Sequence, residues 1–450
     1  MSIRWKTDSF AGWGRTAPTT ARAARPERQA ELDAAFAEAK AAGTALARGN
    51  ARSYGDAAQN ADGALVLGTR LDRFVSFDPD TKILVTEPGA TFGDVLASFL
   101  PRGLAVPASP GTMHATLGGA LAADVHGKNH DRVGSFGDHV EWFDLLVASG
   151  ETLRCSREAN ADLFAATIGG MGLTGIVRRL ALRLAPASPF VRVKETRIDD
   201  LDEFFAEFAA ARDTANFTVG WIDALAQGAR LGRGVFETAE YAPDAALRPP
   251  GLRAPKPIPI DFPGFALSGP VVRAFNELYW RRIPEAGREG ECALDRFLYP
   301  LDSLSDWNRM YGKRGFHQFQ AVMPDAGARD AVRKMLETVA SGGNASFLAV
   351  LKTLGGEGQG LLSFPMRGVT LALDIPNAPG ALELLADLER IARDAGGRIY
   401  LAKDSAQSAA TFRATYPRLA EFEAVLEARD PDRVFASDLS RRLGIRGGAA

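Results

Sequence analysis

The order of apolar and polar positions along the chain predicts a mixture of helices and short strands. Within residues 28–42, Leu32, Ala35, Phe36 and Ala39 recur at helical spacing. The same criterion predicts helices over 91–100, 159–168, 326–341 and 380–395. Short apolar runs bounded by turn residues predict strands over 64–67, 83–86, 144–148, 180–184, 318–323, 346–352, 370–375 and 398–402. Because the two kinds of element alternate irregularly, the pattern favours an α+β layered fold over a regular βαβ repeat.

Prolines divide this pattern into parts. Pro186 and Pro189 mark a candidate boundary, and a second α+β unit follows it to about residue 397. Residues 241–263 contain seven prolines, a composition that resists regular structure and predicts a long mobile loop. Such a loop can be a lid over a site or a plain linker.

Composition narrows the class of protein. The chain has 450 residues, enough for two or three domains, and a formal charge of −2, which argues against a nucleic-acid-binding surface. Its two cysteines, Cys155 and Cys292, are too few for a disulfide framework and indicate a reducing compartment. The N-terminus lacks the apolar stretch of a secretory signal, and no apolar run has the length of a membrane span. We expect a soluble, cytoplasmic protein.

Residues 109–139 hold the densest candidate chemistry. Four of the five histidines (His114, His126, His130 and His139) and the pair Gly118-Gly119 fall in this segment. Glycines let backbone N–H groups approach an anion closely, so the segment indicates a site for a phosphate-bearing cofactor. A glycine-rich surface loop with ordinary turn chemistry is the alternative.

A second glycine-rich motif, at residues 170–175, matches the letter pattern of a dinucleotide-binding fingerprint. That motif requires a strand before it and a helix after it. Here the order is reversed, with a helical pattern at 159–168 and a strand pattern at 180–184. We therefore reject a Rossmann site and expect these glycines to let the backbone pass close to a ligand or a neighbouring strand.

Three further groups of residues are candidates for chemistry. His126 and His130 have the spacing of metal ligands on a helix, but the intervening residues disfavour a helix and no further ligand completes a set, so we predict no metal site. Lys403, after a predicted strand, could bind a phosphate or carry chemistry, or could form a surface ion pair with Asp404. Gln318 and Gln320 share one face of a strand, which suits either hydroxyl recognition or solvation.

Seven motifs together become specific. They are GWGRT (12–16), ARGNARSYGD (47–56), PGTMHATLGGALAADVHGKNH (110–130), GSFGDHV (134–140), GGMGLTGI (169–176), YLAKDS (400–405) and DPDRVFASDLSRRL (430–443). In this order they closely resemble the decaprenylphosphoryl-β-D-ribose 2-oxidases, flavoenzymes of the vanillyl-alcohol oxidase/p-cresol methylhydroxylase (PCMH) class. The resemblance extends from about residue 12 to 443 and is weakest between 190 and 295.

The resemblance implies a two-domain, α+β, PCMH-type FAD-binding fold. Residues 1–188 and 398–450 would form the FAD-binding domain, and residues 189–397 would form an inserted substrate domain built on an antiparallel sheet. Two glycine-rich loops would hold the FAD pyrophosphate through backbone amides. The residues implied to bind FAD are Ala47, Arg48, Gly49, Asn50, Ala51, Arg52, Ser53, Tyr54, Gly55, Asp56, Ala57, Gly111, Thr112, Thr116, Leu117, Gly118, Gly119, Ala123, Asp124, Val125, His126, Gly175, Val177 and Tyr400.

The resemblance also implies a reaction. The enzyme would remove a hydride from C2 of a polyprenyl-phosphoryl-β-D-ribose to flavin N5, leaving a 2-keto sugar. Lys403 would orient the hydroxyl or act as its base, and His126 would pack against the flavin and could share this role. The positions that match the family's substrate pocket are Tyr54, Trp221, Gln318, Gln320, Lys352 and Thr370.

Two features set this chain apart from relatives. Many relatives bind flavin covalently through a histidine in the first loop, but residues 47–57 contain none, so we predict non-covalent FAD. In the pocket, Ala372 and Thr370 stand where mycobacterial members carry cysteine and asparagine, and Leu298 replaces a tyrosine. These changes leave the identity of the sugar and the lipid open, and inhibitors that bond to that cysteine should not react here.

The sequence also leaves other functions open and leads us to expect certain partners. The runner-up is another FAD-dependent carbohydrate oxidase acting on an alditol or aldonolactone; a flavin-binding sensor and a metal-dependent hydrolase are more distant alternatives. A lipid substrate implies peripheral contact with the inner face of a membrane. The sequence shows no basic amphipathic helix for this contact, so the loop 241–263 is the candidate. By resemblance, a short-chain dehydrogenase would reduce the keto product to the arabinose epimer.

Overall fold

The computed structural model describes residues 3–242, 254–343 and 347–447. Part of the predicted proline-rich loop (243–253) and Ser346 of a predicted strand lie outside the described residues. Helices and strands occur in similar measure and the sheets are largely antiparallel, so the predicted α+β class is confirmed.

The chain before residue 189 builds two larger sheets and one short two-stranded pair formed by residues 104–105 and 185–186. Its strands are β1 (Trp5–Phe10), β2 (Thr19–Ala24), β3 (Ala45–Arg48), β4 (Ala64–Leu67), β5 (Phe74–Asp78), β6 (Ile83–Thr86), β7 (Leu104–Ala105), β8 (Val140–Leu146), β9 (Thr152–Ser156), β10 (Ile176–Arg183) and β11 (Ala185–Pro186). Its helices are α1 (Gln29–Ala42), α2 (Phe92–Phe99), α3 (Leu117–Ala123), α4 (His130–Val133) and α5 (Ala161–Thr167). The first sheet has the order β1-β2-β4-β3 with parallel pairs around β4, and the second has the antiparallel order β5-β6-β10-β8-β9.

The chain after residue 189 builds one large antiparallel sheet. Its strands are β12 (Phe190–Ile198), β13 (Phe217–Ile222), β14 (Gly234–Tyr241), β15 (Lys256–Pro257), β16 (Arg288–Ala293), β17 (Leu304–Ser305), β18 (Phe316–Pro324), β19 (Ala349–Leu354), β20 (Gly368–Pro376) and β21 (Arg398–Ile399). The order in the large sheet is β16-β12-β14-β13-β19-β20-β18-β21, while β15 and β17 form a separate short pair. The helices of this part are α6 (Leu201–Ala211), α7 (Gly269–Arg281), α8 (Leu294–Leu298), α9 (Asp325–Gly342) and α10 (Ala381–Asp394).

One face of the large sheet is covered by α6, α9 and α10. In α10 the buried residues Leu384, Leu385, Leu388 and Ala392 recur at helical spacing, so this face packs on the sheet while the polar positions face water. Leu388 is fully buried, and its truncation to alanine would cost about 2–5 kcal/mol. The opposite face of the sheet remains available for the site described below.

The C-terminal helices return to the first part of the chain. They are α11 (Ala409–Thr415), α12 (Leu419–Arg429) and α13 (Asp438–Arg442). Phe422 and Leu439 are buried in the core of the second sheet, and Phe435 stacks on Phe36 of α1. The Ala45 N–H donates to the Val434 carbonyl over 2.7 Å, so the chain ends are joined at β3.

Candidate active site

A cavity of about 850 Å³ lies between the loops of the first part of the chain and the uncovered face of the large sheet. This volume is in the range of ligand and cofactor sites. Its wall is formed by residues from the segments 47–58, 109–128, 171–177 and 400–403, by β13, β18, β19 and β20, and by the segment 262–310.

The loop after β3 presents unused backbone donors to the cavity. The N–H groups of Asn50, Ala51, Arg52 and Ser53 find no acceptor in the described part of the chain. Ala51 has a φ of 52°, in the left-handed region. Consecutive N–H groups around a left-handed residue form a concave anion-binding nest, which suits a pyrophosphate. The Arg48 guanidinium fixes the loop by donating to the Ala11 and Ala58 carbonyls.

The glycine-rich segment around Gly118 and Gly119 was expected to offer free backbone N–H groups to a phosphate, and the structure differs from this expectation. The N–H groups of Gly118 and Gly119 already donate to the Pro88 carbonyl and to Thr116 Oγ1. A Cβ at Gly118 would lie 2.6 Å from Pro88 Cβ, so glycine is needed here because two backbones pack closely. Both glycines line the cavity, but they form its surface without donating N–H groups to it.

The motif at residues 170–175 adopts the reversed context predicted for it. Helix α5 precedes it and strand β10 follows it. Gly175 has a φ of 154°, and a Cβ there would lie 2.6 Å from the Leu146 carbonyl oxygen of β8. The prediction that this glycine lets the backbone pass close to a neighbouring strand is confirmed.

Most of the residues predicted for the site share this one cavity wall. The residues in the wall are Ala47, Arg48, Gly49, Asn50, Ala51, Arg52, Ser53, Tyr54, Ala57, Gly111, Thr112, Thr116, Gly118, Gly119, Ala123, Val125, His126, Gly175, Val177, Trp221, Gln318, Gln320, Lys352, Tyr400 and Lys403. Five others lie behind it, namely Gly55, Asp56, Leu117, Asp124 and Thr370. Thr370 Oγ1 accepts from Gln320 Nε2 over 3.1 Å, and Asp124 accepts from the Gly137 N–H and Ser363 Oγ.

Lys403 reaches the cavity from a tight turn. The strand predicted over 398–402 ends at Ile399, and residues 401–403 form a 3₁₀ turn instead. The Tyr54 N–H donates to the Ala402 carbonyl over 2.9 Å, which binds this turn to the first loop. Lys403 Nζ lies 4.1 Å from the centre of the Tyr54 ring, a cation–π contact.

An ion-pair network holds the turn in place. Arg442 of α13 donates to Asp56 over 2.7 and 2.8 Å and to Asp404 over 2.9 Å. The other Asp404 oxygen accepts from the N–H groups of Ala406 and Gln407. The surface ion pair considered for Lys403 is therefore not formed, because Asp404 points away to Arg442.

The large sheet contributes polar side chains that lie opposite each other on neighbouring strands. Gln318 lies opposite Asp374 in the β18–β20 pair, and Lys352 lies opposite Thr370 in the β19–β20 pair. Gln318 Nε2 donates to one Asp374 oxygen over 2.5 Å, and the Tyr311 hydroxyl donates to the other over 2.7 Å. Burial raises the pKa of Asp374 to about 6, although these two hydrogen bonds oppose the shift.

His126 is buried between the segment after α3 and the large sheet. Its ring centre lies 5.2 Å from that of Tyr400 and 5.4 Å from that of Phe364. Burial, and then the positive charges of Lys352 and Lys403 together with His130, hold the pKa of His126 well below its usual value. Its Nδ1 atom has no hydrogen-bond partner among the described residues.

Three half-buried lysines, Lys128, Lys352 and Lys403, give the cavity positive charge. Burial lowers the pKa of Lys403 to about 8, although Asp374 opposes this, and burial with repulsion from Lys403 and Lys128 lowers the pKa of Lys352 to about 7. Burial also lowers the pKa of Lys128, whose Nζ donates to the Phe297 carbonyl over 2.5 Å. Within residues 3–242, 254–343 and 347–447, none of the three forms an ion pair within 4.0 Å. Such a cluster favours an anionic ligand, because an anion offsets the cost of burying the charges.

Sequence reasoning missed three ionisable residues of this region: Lys128, Glu237 and Asp374. Asp374 occupies the same alternating face of β20 as Ala372, so the two-residue period could have identified it as a buried acid. Lys128 and Glu237 lie on different elements, and the sequence has no local signal for their meeting in one cavity.

The remaining wall of the cavity is apolar. Trp221 is fixed there by donating its indole N–H to the Phe347 carbonyl over 2.8 Å. The residues that continue this side are Phe262, Leu267, Val271, Phe275, Leu298, Leu301, Leu304 and Met310. The cavity therefore combines a cationic part with a long apolar part and suits an amphiphilic anion.

Comparisons with known proteins agree with this geometry. The family described as FAD binding domain matches residues 20–156, and the family described as D-arabinono-1,4-lactone oxidase matches residues 374–443. The chain is 37% identical to decaprenylphosphoryl-β-D-ribose oxidase of Mycolicibacterium smegmatis, over 98% of each chain. It is 36% identical to an uncharacterized protein of Streptomyces coelicolor, over 77% of this chain and 97% of the relative. It is 24% identical to L-gulono-1,4-lactone dehydrogenase of Mycobacterium tuberculosis, over 93% of this chain and 95% of that protein.

Proposed function

The chain belongs to the decaprenylphosphoryl-β-D-ribose oxidase family of FAD-dependent oxidoreductases, and on this premise we propose that it oxidises the C2 hydroxyl of a polyprenyl-phosphoryl-β-D-ribose to a ketone. The observation that carries the proposal is the cluster of Lys128, Lys352 and Lys403 in a cavity whose other side is apolar. A phosphoryl group satisfies the cations, and a polyprenyl chain fits the apolar side. A neutral, short polyol satisfies neither.

The residues present fit FAD as the cofactor. The four unpaired N–H groups from Asn50 to Ser53 would hold its pyrophosphate, and Gly175 and Val177 would lie on the adenine side. His126 would pack against the flavin ring, and Tyr400, which contacts His126, would lie near it. The loop 47–57 contains no histidine that could form a covalent bond to it, so we propose that FAD is held non-covalently.

Oxidation of an alcohol needs an acceptor for the hydride and one for the proton. FAD, when bound, supplies the hydride acceptor. Lys403 would orient the C2 hydroxyl and, in its neutral form, take the hydroxyl proton; a pKa of about 8 makes this form accessible near neutral pH. Asp374 would keep that pKa from falling further, and Gln320 would hold His126 in position.

The proposal also divides the chain. Residues 1–188 and 398–450 would bind FAD, and residues 189–397 would cover the substrate, a division supported by the separate large sheet and by the return of α11 to α13 to the first part. Leu298 and Ala372 belong to the cavity wall, whereas Thr370 contacts it through Gln320. The pocket would therefore fit a sugar and a lipid that differ from those of relatives with tyrosine at position 298 and cysteine at position 372.

The keto product defines the class of the next enzyme. A ketone at C2 is returned to an alcohol by a hydride donor, and reduction from the opposite face gives the arabinose epimer. We propose a short-chain dehydrogenase as this partner. No helix in the described residues is long and apolar enough to cross a membrane. We propose that the enzyme reaches a lipid-linked substrate through peripheral contact with the membrane.

Oxidation of an aldonolactone is the second candidate. The D-arabinono-1,4-lactone oxidase family matches residues 374–443, which include Asp374 and Lys403, so these residues alone do not separate the two reactions. The lysine cluster does, because a lactone carries no phosphoryl group.

Anaerobic reduction of the flavin tests the proposal directly. The holoenzyme is mixed with farnesylphosphoryl-β-D-ribose, free ribose, an alditol and an aldonolactone, and the flavin absorbance is followed. We expect bleaching with the phosphoryl sugar alone. Bleaching by the lactone, with the phosphoryl sugar inert, would establish the second candidate instead, and bleaching by the alditol alone would contradict both candidates.

A further inference from the structure

The cavity opens beside an unusual group of exposed apolar side chains. Of the eight large apolar residues that are exposed in the described part of the chain, six fall between residues 260 and 278. We refer to this group as the apolar collar; it consists of Ile260, Phe262, Phe265, Val271, Phe275 and Leu278. Isolated apolar residues on a surface need no explanation, whereas a cluster of this kind marks an interaction site.

Helix α7 presents half of the collar at helical spacing. Val271, Phe275 and Leu278 follow the i, i+4, i+7 pattern on its exposed face, and Leu278 is 71% exposed. The opposite face is also occupied by buried residues, namely Val272, Asn276 and Trp280. Because both faces of this helix carry large side chains, the sequence pattern alone does not single out the exposed apolar stripe.

The collar is held in place by buried polar contacts. Asn276 donates to Asp223 over 2.6 Å, and the Trp280 indole N–H donates to the Ile198 carbonyl over 2.8 Å. Asp261 accepts from Arg15 over 2.5 Å, and the Phe262 N–H donates to the Arg309 carbonyl. The exposure of the apolar side chains is therefore built into a fixed surface.

The collar is continuous with the apolar side of the cavity. Phe262, Val271 and Phe275 are exposed to solvent and also line the cavity, whose wall continues inward through Leu267 and Met310. A long hydrocarbon chain could pass from the collar to the cavity without crossing a polar barrier.

Four basic residues lie within or close in sequence to the segment that carries the collar. Lys256, Arg273, Lys313 and Arg314 are exposed, and none forms an ion pair with another described residue. The Arg314 guanidinium lies 3.7 Å from the position of a Cβ at Gly264, and that of Arg273 lies 3.6 Å from one at Gly269, so both flank the collar directly. Cations at the rim of an apolar patch match anionic lipid headgroups over an acyl layer.

We propose that the apolar collar docks on the surface of an anionic lipid bilayer, with Phe265 and Leu278 inserted among the acyl chains and the cavity mouth facing the lipid. This inference rests on the proposed function, since it supplies the route by which a polyprenyl-phosphoryl sugar leaves the bilayer and enters the cavity. The charge pattern and the continuity with the cavity favour a bilayer over a second copy of the chain.

Vesicle sedimentation of the holoenzyme tests this docking. We expect binding to phosphatidylcholine vesicles that contain phosphatidylglycerol, and weaker binding to pure phosphatidylcholine or at high salt. Phe265→Asp and Leu278→Asp should each weaken binding by ~10-fold or more, the factor expected when one large apolar side chain no longer leaves water. Leu382→Asp is the matched control, because Leu382 of α10 is 58% exposed but lies outside the collar.

The outcomes separate docking from catalysis. Farnesylphosphoryl-β-D-ribose is soluble, so wild type and both collar variants should reduce the flavin with it equally well. A bilayer-embedded long-chain substrate should be oxidised more slowly by the collar variants alone. Vesicle binding that is absent in the wild type, or equal in Leu278→Asp and Leu382→Asp, would overturn the docking proposal even if the flavin is reduced. Dimerisation of the wild type that Leu278→Asp abolishes, without vesicle binding, would assign the collar to a second copy of the chain.

Discussion

The side-chain nitrogen Nε2 of Gln320 lies 3.0 Å from Nε2 of His126, and this contact joins the large sheet to the segment after α3. An amide nitrogen can only donate, so His126 Nε2 accepts, and the proton of the neutral ring resides on Nδ1. The lowered pKa of His126, caused first by burial, keeps the ring neutral. The sheet thereby determines that His126 offers one N–H donor, from an atom that has no other partner in the described residues.

Replacement of Lys403 by methionine should abolish oxidation while FAD remains bound. The Lys403 side chain lies beside Tyr54, where it would orient the substrate hydroxyl or, as the neutral amine, take its proton. We expect the rate of flavin reduction by the phosphoryl sugar to fall ~10²- to 10⁴-fold, the usual contribution of a positioned acid or base. Lys334→Met, on the exposed face of α9, is the control and should react like the wild type. Normal flavin reduction in Lys403→Met would remove this residue from the mechanism.

The pH profile should report the pKa of Lys403. Only neutral lysine can accept a proton, so the rate of flavin reduction should rise with pH and level off above about 8. Asp374 opposes the lowering of this pKa, hence Asp374→Asn should move the rising limb to lower pH. Stopped-flow measurements of flavin reduction across the pH range check both expectations. A limb that is unmoved in Asp374→Asn would show that the carboxylate does not act through Lys403.

Acid or urea denaturation should release FAD into solution. The loop 47–57 holds the proposed pyrophosphate site but contains no histidine. The neighbouring His114 accepts from Asn50 Nδ2 through its backbone carbonyl, over 2.9 Å. After precipitation, the yellow colour should be found in the supernatant. Flavin retained on the polypeptide would contradict the non-covalent assignment.

Lys352 should contribute to binding of the phosphoryl group. A charge-assisted hydrogen bond contributes about 1.5–3 kcal/mol. Lys352→Met should therefore raise the KM for the phosphoryl sugar about 10- to 100-fold with a smaller effect on kcat, while Lys352→Arg should retain part of the affinity. An unchanged KM in Lys352→Met would place the phosphoryl group elsewhere in the cavity.

The spacing of apolar residues predicted the elements whose structure depends on neighbouring residues in the sequence. Helix α1 was expected over 28–42 and spans Gln29–Ala42, because its apolar stripe faces the core. Strand β8 was expected over 144–148 but spans Val140–Leu146, since the Val147 N–H turns to bond the Glu151 carbonyl. The 3₁₀ turn before Lys403 was not predicted, because it depends on the pairing of the Tyr400 N–H with the Gln320 carbonyl, 80 residues away in sequence.

The candidate site shows the same division. The order of the motifs identified the first loop and Lys403, but not the charged residues that shift the pKa values of the cavity lysines. Asp374 reaches the site only because β18 and β20 pair. Lys128 affects the pKa of Lys352 only because its segment meets the large sheet. Buried charge is a property of tertiary contacts, so a single sequence carries little signal for it.

Arg442 should be critical for both stability and cofactor binding. Its guanidinium links Asp56 and Asp404, and Asp404 is 4% exposed. Arg442→Met would leave Asp404 buried without its partner, which should lower the free energy of unfolding by about 3 kcal/mol. Urea denaturation measures this change. Arg441→Met is the control, because the Arg441 side chain is 44% exposed and an ion pair at such a site contributes at most about 1 kcal/mol.

The double variant Arg442→Met/Asp404→Asn separates the unpaired charge from the lost contacts. If the uncompensated Asp404 carboxylate causes the loss of stability, Asp404→Asn should restore part of it. The same substitution also weakens the hydrogen bonds that Asp404 accepts from the N–H groups of Ala406 and Gln407. Because a Cβ at Gly55 would lie 2.0 Å from the Asp404 carbonyl oxygen, any shift of this turn moves the first loop as well. Arg442→Met should therefore bind FAD more weakly than Arg441→Met in an equilibrium titration. Equal stability and equal FAD affinity in these two single variants would show that the network around Asp404 is dispensable.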